Sequence, residues 1–195
     1  MNHFAHLVLS QATVESTVGN LLGDFARGVD TNSLPALVCA GLLNHRAVDR
    51  FTDSHPLVLE MKRRFSSRRR RFAGIALDIY FDHLLLIHWE RFEQRDLDEL
   101  IADFYQRMAA GQSLMPGTQM RHVTRRMIDY DWFRSYRDAD AIAESLDRVA
   151  ARIRFANNFD NAIHDLQHHH DFIRDGFLEF YPQLQRHVFE LAIEK

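Results

Sequence analysis

Apolar residues return every three or four positions along most of this chain, a spacing typical of helices that bury one face. No segment alternates apolar and polar residues over a credible strand length. The chain has 195 residues, which is enough for one sizeable core and too few to make two domains the default. The sequence therefore predicts an all-α fold, a compact single-domain helical bundle spanning residues 1–195.

Capping and helix-breaking residues divide this pattern into elements. Ser, Thr and Asp are typical helix N-caps, glycine is typical just past a helix end, and the residue before a proline disfavours helix. These signals predict helices over about 13–28, 35–53, 56–65, 73–92, 96–110, 119–130 and 138–155, a loop over 111–117, and a last helical segment over 159–195 broken around Pro182.

Cysteine usage and hydropathy indicate the cellular setting. The single cysteine cannot form an internal disulfide, which fits a reducing compartment. The N-terminal apolar run is too short for a secretory signal, and no stretch approaches the roughly 20 apolar residues that cross a bilayer. We therefore expect a cytoplasmic protein with no membrane partner.

Although the net charge is −3, residues 62–71 contain a dense cluster of basic residues. A local positive field of this kind steers an anionic partner, although a solvated helix face is the simpler interpretation. Aromatic residues that could stack on bases are sparse around it, so we expect no nucleic-acid partner. The basic cluster consists of Lys62, Arg63, Arg64, Arg68, Arg69, Arg70 and Arg71.

A stripe of ionisable residues runs along one predicted helix. His45, Asp49 and Asp53 are four apart, so all three can face one cavity. Alternatively, Asp53 or His55 caps the end of the helix, and His45 is a hydrogen-bonded core histidine. Unpaired buried charges are costly, so three ionisable groups on one stripe favour a shared function.

A second stripe lies in the most apolar predicted helix. Asp78 and Asp82 are four apart, and His83 lies about 100° around the helix from Asp82. Two carboxylates buried together repel one another, and a cation between them would remove the repulsion. The alternative is that Asp82 pairs with one of the many arginines.

Further candidates stand near the N-terminus. Asp24 follows Asn20 by four residues, Gly19 and Gly23 allow another backbone to approach closely, and His6 precedes them. Neutral imidazoles together with carboxylates suit a borderline-to-hard divalent cation, and such ligands admit manganese, magnesium, iron or zinc. The two stripes with these residues therefore predict a metal-dependent hydrolase.

Aromatic residues in the segment DWFRSYRD are predicted to pack in the core. Trp132 and Tyr136 could also line a substrate groove.

Several segments together resemble the acyl carrier protein phosphodiesterases. They are MNHFAHLVLS, GNLLGDFARG, HRAVDRFTDSHP, LDIYFDHLL and IHWERF, and the likeness continues more thinly into DWFRSYRD and FLEFYPQL. The resemblance implies a cytosolic, all-helical relative of the HD-domain phosphohydrolases. It further implies a divalent cation, typically Mn²⁺ with Mg²⁺ or Fe²⁺ possible, and holo-acyl carrier protein as the substrate.

The resemblance also suggests roles for the candidate residues. His83 or His6 would protonate the leaving serine oxygen, Asp53 would be a further catalytic residue, and the basic cluster would contact the acidic carrier protein. The residues expected to hold the cation are Asp24, His45, Asp49, Asp78 and Asp82.

Two other functions remain open at this point. A different HD-type phosphohydrolase acting on a nucleotide would keep the metal cavity without needing the basic cluster. A non-enzymatic helical interaction protein would have its acids capped or salt-bridged.

Overall fold

The computed structural model describes residues 1–155 and 157–195. Throughout these residues the backbone forms helices joined by short turns, and no strand, which confirms the predicted all-α class. The α-helices are α1 (His3–Val8), α2 (Val14–Leu22), α3 (Ala36–Ser54), α4 (Pro56–Arg64), α5 (Ala73–Ile87), α6 (Leu97–Ala110), α7 (Thr118–Asp129), α8 (Trp132–Ser135), α9 (Ala139–Arg152), α10 (Ile163–His168) and α11 (His170–Leu191).

Most helix boundaries follow the capping signals in the sequence. The side chain of Thr13 accepts a hydrogen bond from the backbone N–H of Ser16 at the start of α2. The side chain of Asp96 accepts a hydrogen bond from the backbone N–H of Glu99 at the start of α6. Gly28 adopts a φ of 80° after the first helical segment, a conformation that favours glycine. These local signals correctly predict the starts of α2 and α6. Three predicted helix ends are wrong, because α2 ends at Leu22 rather than near 28, α5 at Ile87 rather than near 92, and α9 at Arg152 rather than near 155.

Two short helices, α1 and α8, are not predicted by the sequence pattern. They contain six and four residues, too few to be stable in isolation. Phe4 of α1 and Phe133 of α8 are fully buried, and their ring centroids lie 5.5 Å apart. Tertiary packing of these rings stabilises both helices.

The final segment differs from its prediction. Pro182 lies inside α11, which continues through it, and the break falls at His169 between α10 and α11. A proline in a helix interior removes a backbone donor and costs about 3 kcal/mol. Phe180 and Tyr181, which precede it, are fully buried, and their burial offsets that cost.

Helix α5 lies at the centre of the core. Most of its 15 residues are buried, and Phe81 at its middle contacts the rings of Phe177 and Phe180 on α11. Helices α1, α9, α10 and α11 all pack against it. The stripe that carries Asp78 and Asp82 is therefore surrounded by other helices.

Helices α2 and α3 pack at unusually short range because glycines face one another. A Cβ atom on residue 19 would overlap the carbonyl oxygen of Val38 and lie 2.8 Å from the Cα of Gly41. The expectation that Gly19 permits close backbone approach is thus confirmed. Gly23 is different, because its space is filled by the imidazole of His45 rather than by backbone.

None of the helices within the described residues combines the length and the apolarity needed to span a bilayer.

The α2–α3 contact gives a stability prediction. Gly19→Ala should lower the free energy of unfolding by about 1–3 kcal/mol, because the added methyl group meets rigid backbone on α3. Urea unfolding followed by circular dichroism measures this change.

Gly74→Ala is the matched control, since its Cβ would lie 3.6 Å from Lys62 Cε, an ordinary contact. Alanine is the better helix former, so this variant should be as stable as the parent or slightly more so. Equal stability of both variants would show that the close contact at Gly19 is unimportant.

Candidate active site

Side chains from α1 and α3 meet at one largely buried point. Nε2 of His6 lies 3.1 Å from Oδ1 of Asp49, and Nε2 of His45 lies 3.0 Å from Oδ2. The two imidazole rings stack with centroids 3.7 Å apart. Each of the three residues offers one possible ligand atom, and these three atoms all lie within 4.8 Å of one another. We call these three residues the His–His–Asp cluster.

Asp82 fixes the start of α1 and thereby positions His6. Its two carboxylate oxygens accept hydrogen bonds from the backbone N–H groups of Phe4 at 2.9 Å and Ala5 at 3.0 Å. The side chain is fully buried, and burial raises the pKa of Asp82 to about 7 although the two N–H donors oppose the shift. The structure thus gives Asp82 a helix-capping contact, whereas its role as a metal ligand stays a prediction.

Two features of α2 and the turn after it position the ring of His45. Nδ1 lies 2.7 Å from the backbone carbonyl oxygen of Asn20, so this nitrogen carries the proton and donates it. The ring occupies the space that a side chain on Gly23 would need. His45 is therefore held in a single orientation with Nε2 directed at Asp49.

The α-amino group of Met1 joins a second carboxylate to the cluster. Its nitrogen lies 2.8 Å from Oδ1 of Asp78 and 3.4 Å from Oδ1 of Asp49. Burial alone would lower the pKa of this amine, but Asp78 and Asp49 outweigh it and raise the pKa to about 10. The positively charged amine thus lies between Asp49 on α3 and Asp78 on α5, two of the predicted metal ligands.

The local charges also set the protonation of the cluster. Burial opposes ionisation of Asp49, but hydrogen bonds from His45 and His6 hold the pKa of its carboxyl well below the usual range. Burial lowers the pKa of His6 to about 4, so its ring is neutral at pH 7. An ionised carboxylate and a neutral imidazole are the forms that bind metal ions.

The unsatisfied nitrogen atoms of the cluster allow a test of whether a cation fits it. Nδ1 of His6 is buried and has no hydrogen-bond partner among the described residues. Nε2 of His6 and Nε2 of His45 both face the Asp49 carboxylate, at 3.1 and 3.0 Å, so three possible ligand atoms converge on one point. Two imidazoles with one carboxylate suit Mn²⁺, Fe²⁺ or Zn²⁺. The residues present therefore fit a divalent cation.

Asp24 faces a histidine that sequence reasoning missed. Its Oδ2 lies 2.8 Å from Nδ1 of His3, and this pairing holds the pKa of the Asp24 carboxyl well below its usual range although burial opposes it. His3 and His6 are three residues apart, which places them on one side of a helix. That spacing was a usable signal, but it depends on recognising α1.

Two predicted catalytic residues lie outside the cluster. Nδ1 of His83 lies 2.8 Å from the carbonyl oxygen of Tyr136, and burial lowers the pKa of the His83 imidazole. Asp53 lies one turn after Asp49 on α3 and accepts a hydrogen bond of 2.7 Å from Nζ of Lys62. The structure does not bring either side chain to Asp49, and their catalytic roles stay predictions.

The basic cluster forms the end of α4 and the 3₁₀ turn before α5, and several of its members have local partners. Arg69 lies 3.8 Å from Asp165, and the guanidinium of Arg71 lies over the ring of Phe155. Arg63 and Arg68 are exposed. Further contacts are those of Arg63 and Arg64 with Glu60, Arg64 with Phe172, Arg69 with the Asp160 carbonyl, Arg70 with the Phe65 carbonyl, Arg71 with Phe72 and Lys62 with Asp53.

A cleft of about 320 Å³ opens beside the carboxylates of Asp24 and Asp78. Met1, His3, Asp24 and Asp78 line one side of it. His3 is therefore an imidazole that a ligand in the cleft would meet. A larger depression of about 760 Å³ lies around residues 86–98 at the far end of α5 and contains none of the predicted site residues.

Comparison with known proteins covers nearly the whole chain. A family model described as "Acyl carrier protein phosphodiesterase" matches residues 1–184. Relatives named acyl carrier protein phosphodiesterase in Escherichia coli strain K12 / DH10B and in Escherichia coli O139:H28 are each 33% identical over 196 residues, covering 99% of this chain and 100% of the relative. No solved structure matches the chain.

The lowered pKa of His6 predicts a pH dependence of stability. Between the folded value of about 4 and the usual value of about 6.5, the unfolded chain binds more protons than the folded one. Stability is therefore lost as pH falls through this range, by about 2 kcal/mol between pH 7 and pH 5 from this residue alone. Urea unfolding of the metal-free protein at both pH values measures this change. Between pH 7 and pH 5 the free energy of unfolding of His6→Asn should fall by less than that of the parent.

The exposed His122 on α7 provides the control. His122→Asn should keep the pH dependence of the parent. If His6→Asn keeps it as well, His6 is not held neutral by burial.

Proposed function

Because the chain belongs to the acyl carrier protein phosphodiesterase family, we propose that it hydrolyses the phosphodiester linking phosphopantetheine to a serine of holo-acyl carrier protein. The products are the apo carrier protein and free phosphopantetheine. The observation that carries the proposal is the His–His–Asp cluster beside an open cleft, in a chain that matches this family almost from end to end.

We further propose that the reaction depends on a divalent cation, with Mn²⁺ the leading candidate. His6, His45 and Asp49 would hold it, and Asp78 lies on the cleft side of the cluster. When bound, the cation supplies Lewis acidity that offsets charge on the phosphoryl oxygens. The metal-ligand roles of Asp24 and Asp82 remain part of the proposal, although each has another partner in this structure.

The protein's own residues contribute rigidity and orientation to this reaction. The carbonyl of Asn20 fixes the tautomer of His45, as partners of ligating histidines commonly do. Asp82 holds the start of α1, which carries both His3 and His6. A site held in this way keeps its geometry when the phosphodiester arrives.

The basic cluster is proposed to guide the carrier protein. Acyl carrier proteins are acidic, and complementary charge chiefly raises the association rate and fixes orientation. The cluster precedes α5 directly, and Ile75 and Asp78 in the first turns of α5 line the cleft. A carrier bound on the exposed arginines would therefore stand next to the cleft.

Mass spectrometry of the carrier tests the proposed activity. Holo-acyl carrier protein incubated with this chain and Mn²⁺ should lose the mass of its phosphopantetheine arm, and a chelator should prevent the loss. An intact carrier in all conditions would contradict the proposed function. Cleavage in the presence of the chelator would contradict the metal dependence alone.

Asp49→Asn tests the cluster. Loss of a Lewis-acid cation worth several kcal/mol corresponds to a fall in kcat of roughly a thousandfold. Isothermal titration with Mn²⁺ should show loss of binding in the same variant. Asp103→Asn is the matched control, because Asp103 is similarly half-buried and ion-paired but lies on α6, and it should keep parental activity.

Arg63→Gln combined with Arg68→Gln tests the role of the basic cluster. We expect kcat/KM for holo-carrier to fall about tenfold at low salt and the difference to shrink as salt screens the interaction. Hydrolysis of bis(p-nitrophenyl) phosphate, which has no carrier, should not change. An enzyme acting on a nucleotide would barely respond to the substitutions.

Arg91→Gln combined with Arg95→Gln is the control, because both residues lie beyond the opposite end of α5. An equal loss in the two double variants would show that only net charge matters.

A further inference from the structure

The cleft beside the His–His–Asp cluster has walls of two different kinds. Toward the cluster it is polar, with His3, Asp24 and Asp78. Its remaining walls are largely apolar and come from α5, α7, α8 and α9. These wall residues are Ile75, Ile79, Val123, Trp132 and Val149.

A smaller cavity adjoins the cleft. That cavity has a volume of about 100 Å³ and shares Trp132 and Val149 with the cleft. It adds Tyr136 and Ser145, which bring hydroxyl groups. A volume of about 320 Å³ falls at the lower end of the range for small-molecule sites, which are mainly apolar with a few polar groups.

Arg152 stands at the rim on the side of the basic cluster. It lines both the cleft and the smaller cavity and forms no ion pair within the described residues. Three positions later, Phe155 lies under the guanidinium of Arg71. Arg152 therefore adds a positive charge to the cleft lining, close in sequence to a residue that contacts the basic cluster.

We propose that this cleft binds the pantetheine arm of the substrate and that Trp132 determines specificity for that arm. The inference rests on the proposed function, which places the phosphodiester at the carboxylate end. The arm is a flexible chain with a gem-dimethyl group, a hydroxyl and two amides. Such a chain matches apolar walls interrupted by a few hydrogen-bonding groups.

Trp132 is the wall residue with the largest apolar surface. Its side chain is only partly buried, so the ring is accessible from the cleft. The helix that carries it is anchored independently, because Phe133 is fully buried and its N–H donates to Oη of Tyr105 at 2.8 Å. Substituting Trp132 therefore changes the wall while the anchor of α8 remains.

The test measures KM and kcat for holo-carrier in variants of the cleft wall. Trp132→Ala should raise KM for holo-carrier by at least about tenfold, as expected for loss of a central aromatic contact. The kcat for holo-carrier should change less than KM does, and a circular dichroism spectrum like that of the parent shows that the variant is folded. Trp132→Phe should restore most of the affinity for holo-carrier.

Two variants separate the cleft from general effects of substitution. Val123→Trp narrows the cleft from α7 and should also raise KM for holo-carrier. Tyr130→Ala removes an exposed ring two residues before Trp132 that does not line the cleft, and it should match the parent.

Fluorescence provides a readout that does not need turnover. Added 4′-phosphopantetheine should change the emission of the parent protein through Trp132 and leave that of Trp132→Phe unchanged, because the remaining Trp89 is buried in the core. If the parent cleaves holo-carrier and neither Trp132→Ala nor Val123→Trp changes KM, the inference is wrong and the proposed function stands. If the parent leaves holo-carrier intact, the proposed function fails and the inference fails with it.

Discussion

A carboxylate that bridges the Nε2 atoms of two stacked, buried imidazoles is the arrangement on which the rest of the site depends. Asp49 is ionised, His6 is neutral, and Nε2 of His45 lies 3.0 Å from the carboxylate. A partly buried carboxylate is unfavourable without positive charge nearby, because burial weakens the stabilisation that water would give. The Met1 amine supplies one such charge in this structure, and the proposed cation would supply another.

The surrounding fold serves to hold these side chains in place. Helix α1 is too short to be stable alone, so its position comes from the buried Phe4 ring and from the Asp82 carboxylate on its first N–H groups. The close packing of α2 on α3 brings the Asn20 carbonyl within reach of His45. Packing contacts distant from any substrate thus determine where the reactive groups lie, and the cleft bounded by α7, α8 and α9 determines what can reach them.

Sequence periodicity was sufficient to predict most of the longer helices and the shared face of the stripe on α3. His45 and Asp49 are four residues apart, and this spacing does place both on the same side of one helix. The same reasoning could not assign partners across helices, since these depend on tertiary packing. Asp82 therefore turned out to contact the N–H groups of α1, and Asp24 to contact His3, a residue that spacing within the predicted helices did not single out. Function at the level of the family was accessible from the sequence because whole segments resemble known relatives.

The most direct measurement of the central claim is the position of manganese in a crystal of the full chain grown with Mn²⁺. Anomalous diffraction at the manganese edge should show one strong peak bounded by Nε2 of His6, Nε2 of His45 and the carboxylate of Asp49. A strong peak elsewhere, or direct contacts among these three side chains that persist at saturating Mn²⁺ with no peak between them, would contradict the account.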